Sequence, residues 1–199
     1  MILSNVQILE ALKEGLFEID PLEGNDPTQA PFNTSAVDLR LASEIVVPNC
    51  NEPVQLDLRK PGIAKFLFAN SNRFKIIEDQ PYALKPSKLV LARTVERVAF
   101  PIRTGGVCYS ARVEGRSSVA RCGILVHCTA PTIHANFDGT ITLEIINLGP
   151  FEFLLYPNMR ICQLIIEEVK GMPIKAPNQF QGQSDPVGVL TSAQKPDAN

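Results

Sequence analysis

Short segments rich in β-branched and aromatic residues, separated by Pro, Gly or Asn, make up most of this sequence between positions 44 and 169. Their length and spacing are typical of an antiparallel sandwich or barrel rather than of alternating strands and helices. The sequence therefore predicts a mainly β fold. The ten candidate strands are Glu44 to Val47, Gln55 to Leu58, Phe74 to Ile77, Tyr82 to Leu84, Leu89 to Val98, Val107 to Val113, Gly123 to Val126, Ile141 to Asn147, Phe151 to Leu155 and Arg160 to Val169.

One short amphipathic helix is expected before these strands. Ser4 and Gln7 have the spacing of a capping box, and Gly15 is placed to end the helix. The stretch from Pro21 to Ser35 is dense in Pro, Asn, Asp and Thr, and apolar alternation resumes at Val37. We interpret that stretch as a loop within the same domain.

The chain has 199 residues, 45% of them hydrophobic, which suits one domain with a real core. We assign residues 1–171 to this β domain. From Met172 to Asn199 the composition changes to Pro, Gln, Ser and Asp with few large apolar residues. These residues are expected to form a flexible C-terminal tail, a candidate lid over a site.

The net charge and the cysteines indicate which partners and which cellular compartment this protein is expected to have. Nineteen basic and 21 acidic residues give a formal net charge of -2, which disfavours a polynucleotide partner. The sequence has no basic start followed by a long apolar run, so we expect a cytoplasmic protein without a membrane partner. The five cysteines form no CxxC pair, and we interpret them as buried small hydrophobes in a reducing compartment, with a metal or redox role as the less favoured alternative. They are Cys50, Cys108, Cys122, Cys128 and Cys162.

The segment from Glu114 to Arg121 interrupts the β pattern. Gly115 permits an unusual turn, and the residues after it are expected to complete about two helical turns. The free amides of that helix, the hydroxyls of Ser117 and Ser118 and the guanidinium of Arg116 would suit phosphate oxygens. Serines at a helix start more commonly act only as caps, and this alternative stays open.

A second candidate lies in the strand from Ile141 to Ile146. Period two places Thr142 and Glu144 on one face and Leu143 on the other. Glu144 lies either on a solvated strand face or inside a cleft with a raised pKa.

Several ordered motifs together resemble the dCTP deaminase family, which shares its fold with the trimeric dUTPases. A set of motifs in the right order is far more specific than any one of them. They are Met1 to Ser4, Val37 to Leu41, Tyr82 to Pro86, Leu91 to Glu96, Glu114 to Arg121, Thr142 to Glu144 and Leu155 to Leu164.

The resemblance implies a distorted jelly-roll β fold of the dUTPase type with a short helix at the active site. It also implies a homotrimer with active sites at subunit interfaces, and Mg²⁺ bound through the nucleotide triphosphate. Glu144 would be the catalytic acid and base, with Ser117 holding the water and Arg121 stabilising charge. The zinc deaminases need HxE followed by PCxxC, and neither is present, so no zinc is expected.

The resemblance also assigns nucleotide contacts residue by residue. The candidate nucleotide-binding residues are Arg116, Ser117, Ser118, Arg121, Ala130, His134, Thr142, Leu143, Gln179 and Gln183. Of these, Ala130, Thr142 and Leu143 would border the base, and Gln183 would close onto the triphosphate from the tail.

Two of these positions, and one other residue, depart from the family pattern. His134 stands where the family has an Asp that binds the 3'-hydroxyl, and a histidine cannot replace a carboxylate acceptor. Gln179 replaces a tail lysine, and Asn158 replaces a glycine at a position that tolerates left-handed backbone. His127 is interpreted as a structural support.

The predicted function is hydrolytic deamination of dCTP to dUTP and ammonia, with dTTP and dUTP as further candidate ligands. One alternative is a bifunctional enzyme that continues to dUMP, which His134 disfavours because the corresponding Asp activates water in dUTPases. The other is a nucleotide-binding regulator without turnover.

Overall fold

The computed structural model describes residues 1–49, 54–57, 59, 62–178 and 180–188. Cys50, Gln179 and the last 11 residues, 189–199, lie outside the described residues, as does Leu58 at the end of one predicted strand.

Thirteen strands and three helices make up the described chain. The helices are α1 (Asn5–Lys13), α2 (Ile63–Ala69) and α3 (Ser117–Ala120). The strands are β1 (Glu18–Asp20), β2 (Phe32–Asn33), β3 (Ala36–Arg40), β4 (Glu44–Pro48), β5 (Ser71–Lys75), β6 (Tyr82–Leu84), β7 (Leu89–Ala99), β8 (Cys108–Gly115), β9 (Ile124–Leu125), β10 (Thr132–Ile133), β11 (Asp138–Asn147), β12 (Phe153–Leu155) and β13 (Arg160–Val169).

Two large sheets and one small one hold these strands. The six-stranded sheet has the order β5-β4-β7-β11-β9, with β1 pairing to β7. The five-stranded sheet has the order β10-β8-β13-β3-β2, and β12 pairs with β6. Every strand pairing in the described part of the chain is antiparallel, so the predicted mainly β architecture is confirmed.

One large apolar core joins both large sheets and α1. Leu143 and Ile145 of β11 and Leu164 and Ile166 of β13 are fully buried in it, together with Ile8 of α1. Alternate residues of β11 and β13 face away from this core, as the period-two pattern predicts. The core therefore fixes which side chains of β11 are available for a site on the other face.

Helix α1 is confirmed in detail. Ser4 and Gln7 form the reciprocal capping box, and Gly15 follows the helix with a φ of 63°. Because the cap, the apolar spacing and the ending glycine are all local, the sequence predicts this element well.

One predicted strand is wrong, and one helix was missed. The described residues of the predicted strand at 55–58 form no strand, and helix α2 was not predicted. Helix α2 begins after Gly62, which makes no side-chain cap, and none of its residues is fully buried. Neither a cap nor an amphipathic pattern identifies such a helix.

Part of the expected tail packs on the sheet. Residues 180–188, which we call the closing segment, contact β11 through an isolated parallel bridge between Gly139 and Gln183. The amide of Gly182 donates to the carbonyl of Asp138 at 2.7 Å, and the amide of Thr140 donates to that of Gln183 at 2.9 Å. No helix of the described chain has both the length and the apolar character needed to cross a membrane.

Candidate functional site

A bulge between β7 and β11 determines where the candidate acid lies. Thr140 pairs with Arg97 and Thr142 with Arg93, so three residues of β7 oppose a single residue of β11. The buried Thr94 hydroxyl fills the bulge, accepting from the Ile141 amide at 3.0 Å and donating to the Glu96 carbonyl at 2.7 Å. Beyond the bulge the register is regular, and Glu144 pairs with Leu91.

Glu144 and Thr142 lie on the face of β11 that points away from the core. Both are half-buried, whereas Leu143 between them is fully buried in the core. The predicted division of faces is therefore confirmed, and the Leu143 side chain lies on the side away from Glu144.

Glu144 and Thr142 line a cavity of about 470 Å³. Most other lining residues are apolar, and no lysine or arginine is among the described residues that line it. They are Leu67, Leu91, Val113, His127, Ala130, Thr132, Ile133, His134, Phe137, Ile141, Asn178, Phe180, Gln183, Pro186, Val187 and Gly188. Of the two alternatives for Glu144, an open strand face or a cleft, the structure places it in a cleft.

Among the described residues, one backbone amide donates to the Glu144 carboxylate. The amide of Cys128 donates to Oε2 at 3.4 Å. Burial raises the pKa of the Cys128 thiol, and the nearby negative charge of Glu144 raises it further. The thiol is therefore held in its protonated form beside the carboxylate at neutral pH.

Two buried polar atoms at the cavity lack a partner. Thr142 Oγ1 and His127 Nδ1 are buried and make no hydrogen bond with any described residue. The other imidazole nitrogen of His127, Nε2, lies 3.9 Å from Glu114 Oε2. Since buried polar groups are almost always paired, these two atoms suit a polar ligand in the cavity.

His134, the residue at the predicted sugar-binding position, lies at the border between two cavities. His134 is exposed, and with Thr132 and Asn178 it lines both the cavity of Glu144 and a second one of about 530 Å³. Ala130 is also exposed and lines only the first. The two spaces together could accommodate a ligand longer than a base and sugar.

Helix α3 does not reach this cavity within one chain. Ser117, Ser118 and Arg121 are exposed, and none of them lines the cavity. Helix α3 has one turn rather than the predicted two, and Gly115 ends β8 without a positive φ, so the expected unusual turn there is wrong.

Arg116 is held by its own chain. Its guanidinium lies 3.2 Å from the buried carboxylate of Asp38 and donates to the Arg160 carbonyl at 3.1 Å. Arg40 similarly pairs with the buried Glu96 at 2.7 Å. Asp38 and Arg40 thus each make an ion pair within this chain.

Gln183 is buried in the closing segment. Its Nε2 donates to the Thr140 carbonyl at 3.0 Å, and its carbonyl accepts from the Thr140 hydroxyl at 3.2 Å. Gln183 therefore anchors the closing segment on β11 and also lines the cavity. Gln179, predicted beside it, lies outside the described residues.

Sequence reasoning missed an apolar part of the site. Leu67 of α2, Leu91 of β7 and Val187 of the closing segment line the cavity together. Leu91 of β7 is the direct cross-strand neighbour of Glu144 and lies on the same face of the sheet. The alternation within the two predicted strands could have indicated that Leu91 lines the site. Nothing in the local sequence brings Leu67 or Val187 to the site.

The interpretation of the cysteines is correct for two of them. Cys108 and Cys162 are buried, but Cys122 and Cys128 are exposed, because both lie in turns that flank β9. Among the described residues, no three His, Cys, Asp or Glu side chains are grouped so that they could hold a metal ion.

Comparisons with known proteins match nearly the whole β domain. A sequence model of the dCTP deaminase-like family matches residues 2–169. A dUMP-forming dCTP deaminase of Methanothermobacter thermautotrophicus is 37% identical over 83% of this chain and 78% of its own. A dCTP deaminase of Rhodospirillum rubrum is 36% identical over 84% of this chain and 82% of its own.

A solved structure shares the fold. The crystal structure of 2'-deoxycytidine 5'-triphosphate deaminase from Agrobacterium tumefaciens has a TM-score of 0.61 with 84% of this chain, at 18% identity. This chain covers 48% of that one, about half of its length. The fold predicted from the resemblance is confirmed, and the sequence matches over the β domain show that this chain belongs to the dCTP deaminase-like family.

Proposed function

We propose that this protein hydrolytically deaminates dCTP, releasing ammonia. The observation that carries the proposal is the half-buried Glu144 in a cavity beside two buried polar atoms without partners, in a chain of this family. A cytosine ring matches such a cavity because it is flat, largely apolar on its faces and polar at its edge.

The active site is completed by a second copy of the chain in a homotrimer. The cavity holds a carboxylate but no described lysine or arginine, whereas a nucleotide triphosphate is strongly anionic. Helix α3 offers the hydroxyl of Ser117 and the guanidinium of Arg121 on an exposed surface, away from its own cavity. A cyclic arrangement that seats α3 of one protomer at the cavity of the next supplies the missing groups.

Glu144 moves the protons of the reaction. It accepts a proton from the attacking water and delivers it to N3 of the ring, and C4 becomes tetrahedral. It then takes the second proton of that water and gives it to the leaving amine, so ammonia departs and the carbonyl forms. Ser117 holds the water, and Arg121 stabilises the charge that develops.

No zinc takes part in this scheme, since the carboxylate activates the water. Mg²⁺ enters with the triphosphate of the substrate. The cytoplasm supplies the deoxynucleotides and keeps exposed thiols such as Cys122 and Cys128 reduced.

We propose dUTP as the nucleotide product that the enzyme releases. Formation of dUMP is the second candidate, because several similar proteins, including that of Methanothermobacter thermautotrophicus, are named dUMP-forming. His134 argues against dUMP formation, since a neutral imidazole offers a single acceptor nitrogen where the family's carboxylate offers two oxygens.

The test incubates purified protein with dCTP and Mg²⁺ and follows ammonia and the cytosine absorbance. Loss of general acid and base catalysis in Glu144→Gln should lower kcat by about 10²–10⁴-fold. Glu10→Gln, on the exposed surface of α1, is the matched control. Turnover by Glu144→Gln at the wild-type rate, or none by the wild type, contradicts the proposal.

The same assay resolves the remaining points. Chromatography of the products separates dUTP from dUMP and pyrophosphate. Activity that survives a zinc-selective chelator in the presence of Mg²⁺ supports the zinc-free route, and activity restored only by added zinc contradicts it.

A further inference from the structure

One row of side chains crosses the six-stranded sheet from Glu144 to its far edge. Glu144 of β11 pairs with Leu91 of β7, Leu91 pairs with Val46 of β4, and Val46 pairs with Arg73 of β5. Directly paired residues point to the same face of a sheet. Arg73 therefore lies on the face of the candidate active site, about 14 Å from Glu144 at the usual strand spacing.

The closing segment covers this row. Val187 is buried against Val46 and Leu91 in a small apolar cluster, separate from the main core. Leu67 and Phe68 of α2 pack against the same cluster. The closing segment and α2 thus meet above the row and form one wall of the Glu144 cavity.

Arg73 contacts both parts of this wall and the neighbouring strand β4. Its guanidinium makes two contacts with the Asp185 carboxylate, at 3.0 and 3.1 Å, so the pair is bidentate. The same group lies 4.8 Å from the centre of the Phe68 ring and 3.1 Å from Glu44 Oε1. Arg73 therefore ties both the closing segment and α2 to the edge of the sheet.

Asp185 also makes hydrogen bonds within the closing segment. Its Oδ1 accepts from the Val187 amide at 2.9 Å, and its carbonyl accepts from the Gly188 amide at 3.0 Å. The turn that carries Val187 into the apolar cluster is thus organised by the residue that Arg73 holds. On the other side of that turn, Gln183 is hydrogen-bonded to Thr140.

We propose that Arg73 is a positioning residue of the candidate active site. Through Asp185 it holds residues 180–188 in the closed position over the Glu144 cavity, and it sets how tightly a nucleotide is retained there. Arg73 does not touch the reacting atoms, so it acts on binding rather than on the chemical step. The nucleotide part of this assignment rests on the proposed function, whereas the mechanical part does not.

The mechanical part is tested by hydrogen exchange on the nucleotide-free protein. Arg73→Gln and Asp185→Asn should each speed amide exchange in residues 180–188 and at Thr140 by about two- to fivefold, the range expected for a partly exposed ion pair. The double variant should be no faster than either single variant, because both remove the same contact. Arg73→Lys keeps the charge but not the bidentate geometry and should exchange at an intermediate rate.

Glu44→Gln is the matched control. It removes the other carboxylate that contacts Arg73, but it leaves the Asp185 pair intact, so exchange in the closing segment should match the wild type. Unchanged exchange in both Arg73→Gln and Asp185→Asn, or additive effects in the double variant, would overturn the proposal.

The functional part is tested by steady-state kinetics with dCTP. Arg73→Gln and Asp185→Asn should raise KM by about two- to fivefold and leave kcat near the wild-type value, since retention weakens and the chemistry does not change. Loss of kcat at unchanged KM would overturn the positioning role. The protein could fail to turn over dCTP while the Arg73 and Asp185 variants still show the predicted non-additive increase in amide exchange. That result would contradict the proposed function and support the role of Arg73 in holding the closing segment.

Discussion

At the scale of single residues, the contact between Glu144 and Cys128 offers a probe of the site that needs no substrate. Burial and the Glu144 charge both raise the pKa of the Cys128 thiol. The thiolate is the form that reacts, so at a given pH near neutrality Cys128 should be alkylated more slowly than a thiol with an ordinary pKa.

Glu144→Gln should make Cys128 more reactive. Removing the negative charge favours the thiolate and lowers the thiol pKa, and the rate at pH 8 should rise by about two- to fivefold. Iodoacetamide labelling followed by peptide mass spectrometry measures this rate directly. Equal rates in the wild type, in Glu144→Gln and in the surface control Glu10→Gln would show that the carboxylate does not act on the thiol.

The residue-scale prediction that depends on a single strand is confirmed, whereas features of the site that depend on the folded chain were not predicted. The period-two pattern placed Glu144 and Leu143 on opposite faces of β11, because alternation is a property of a single strand. The partnerless atoms of His127 and Thr142 and the contribution of Leu67 come from separate elements that meet in space. No local pattern carries that information.

At the scale of elements, the bulge between β7 and β11 is the feature on which the site depends. Thr94→Val should lower the free energy of unfolding by about 1–3 kcal/mol, since it leaves the buried Ile141 amide without its acceptor. Thr94→Ser keeps the hydroxyl and should be the more stable of the two variants. Denaturant unfolding of both measures the difference, and a valine variant as stable as the serine variant would contradict the role of the hydroxyl.

Elements whose ends are marked by local chemistry could be predicted from the sequence, and others could not. Helix α1 has its capping box and ending glycine, so its bounds were visible. Helix α2 follows a glycine that makes no side-chain cap, and its Leu67 and Phe68 pack against residues distant in the sequence. The length of α3 was overestimated because Gly115 continues β8 instead of starting a turn.

At the scale of the whole molecule, one chain presents the two halves of the proposed site on different surfaces. The cavity with Glu144 lies beside the closing segment, and α3 with Ser117 and Arg121 is exposed elsewhere. The mainly β fold followed from the spacing of the strands, whereas the proposed assembly rests on the resemblance to a family. Surface complementarity between copies has no signature in the order of residues along a chain.

Mixed trimers test the central claim, that Glu144 of one protomer works with Arg121 of the next. Glu144→Gln and Arg121→Ala chains should each be nearly inactive alone. When the two are co-expressed in equal amounts, random cyclic trimers regain one intact site in each mixed assembly, and the preparation should show about a quarter of the wild-type activity. Activity no greater than the average of the two inactive variants would contradict a site shared between protomers.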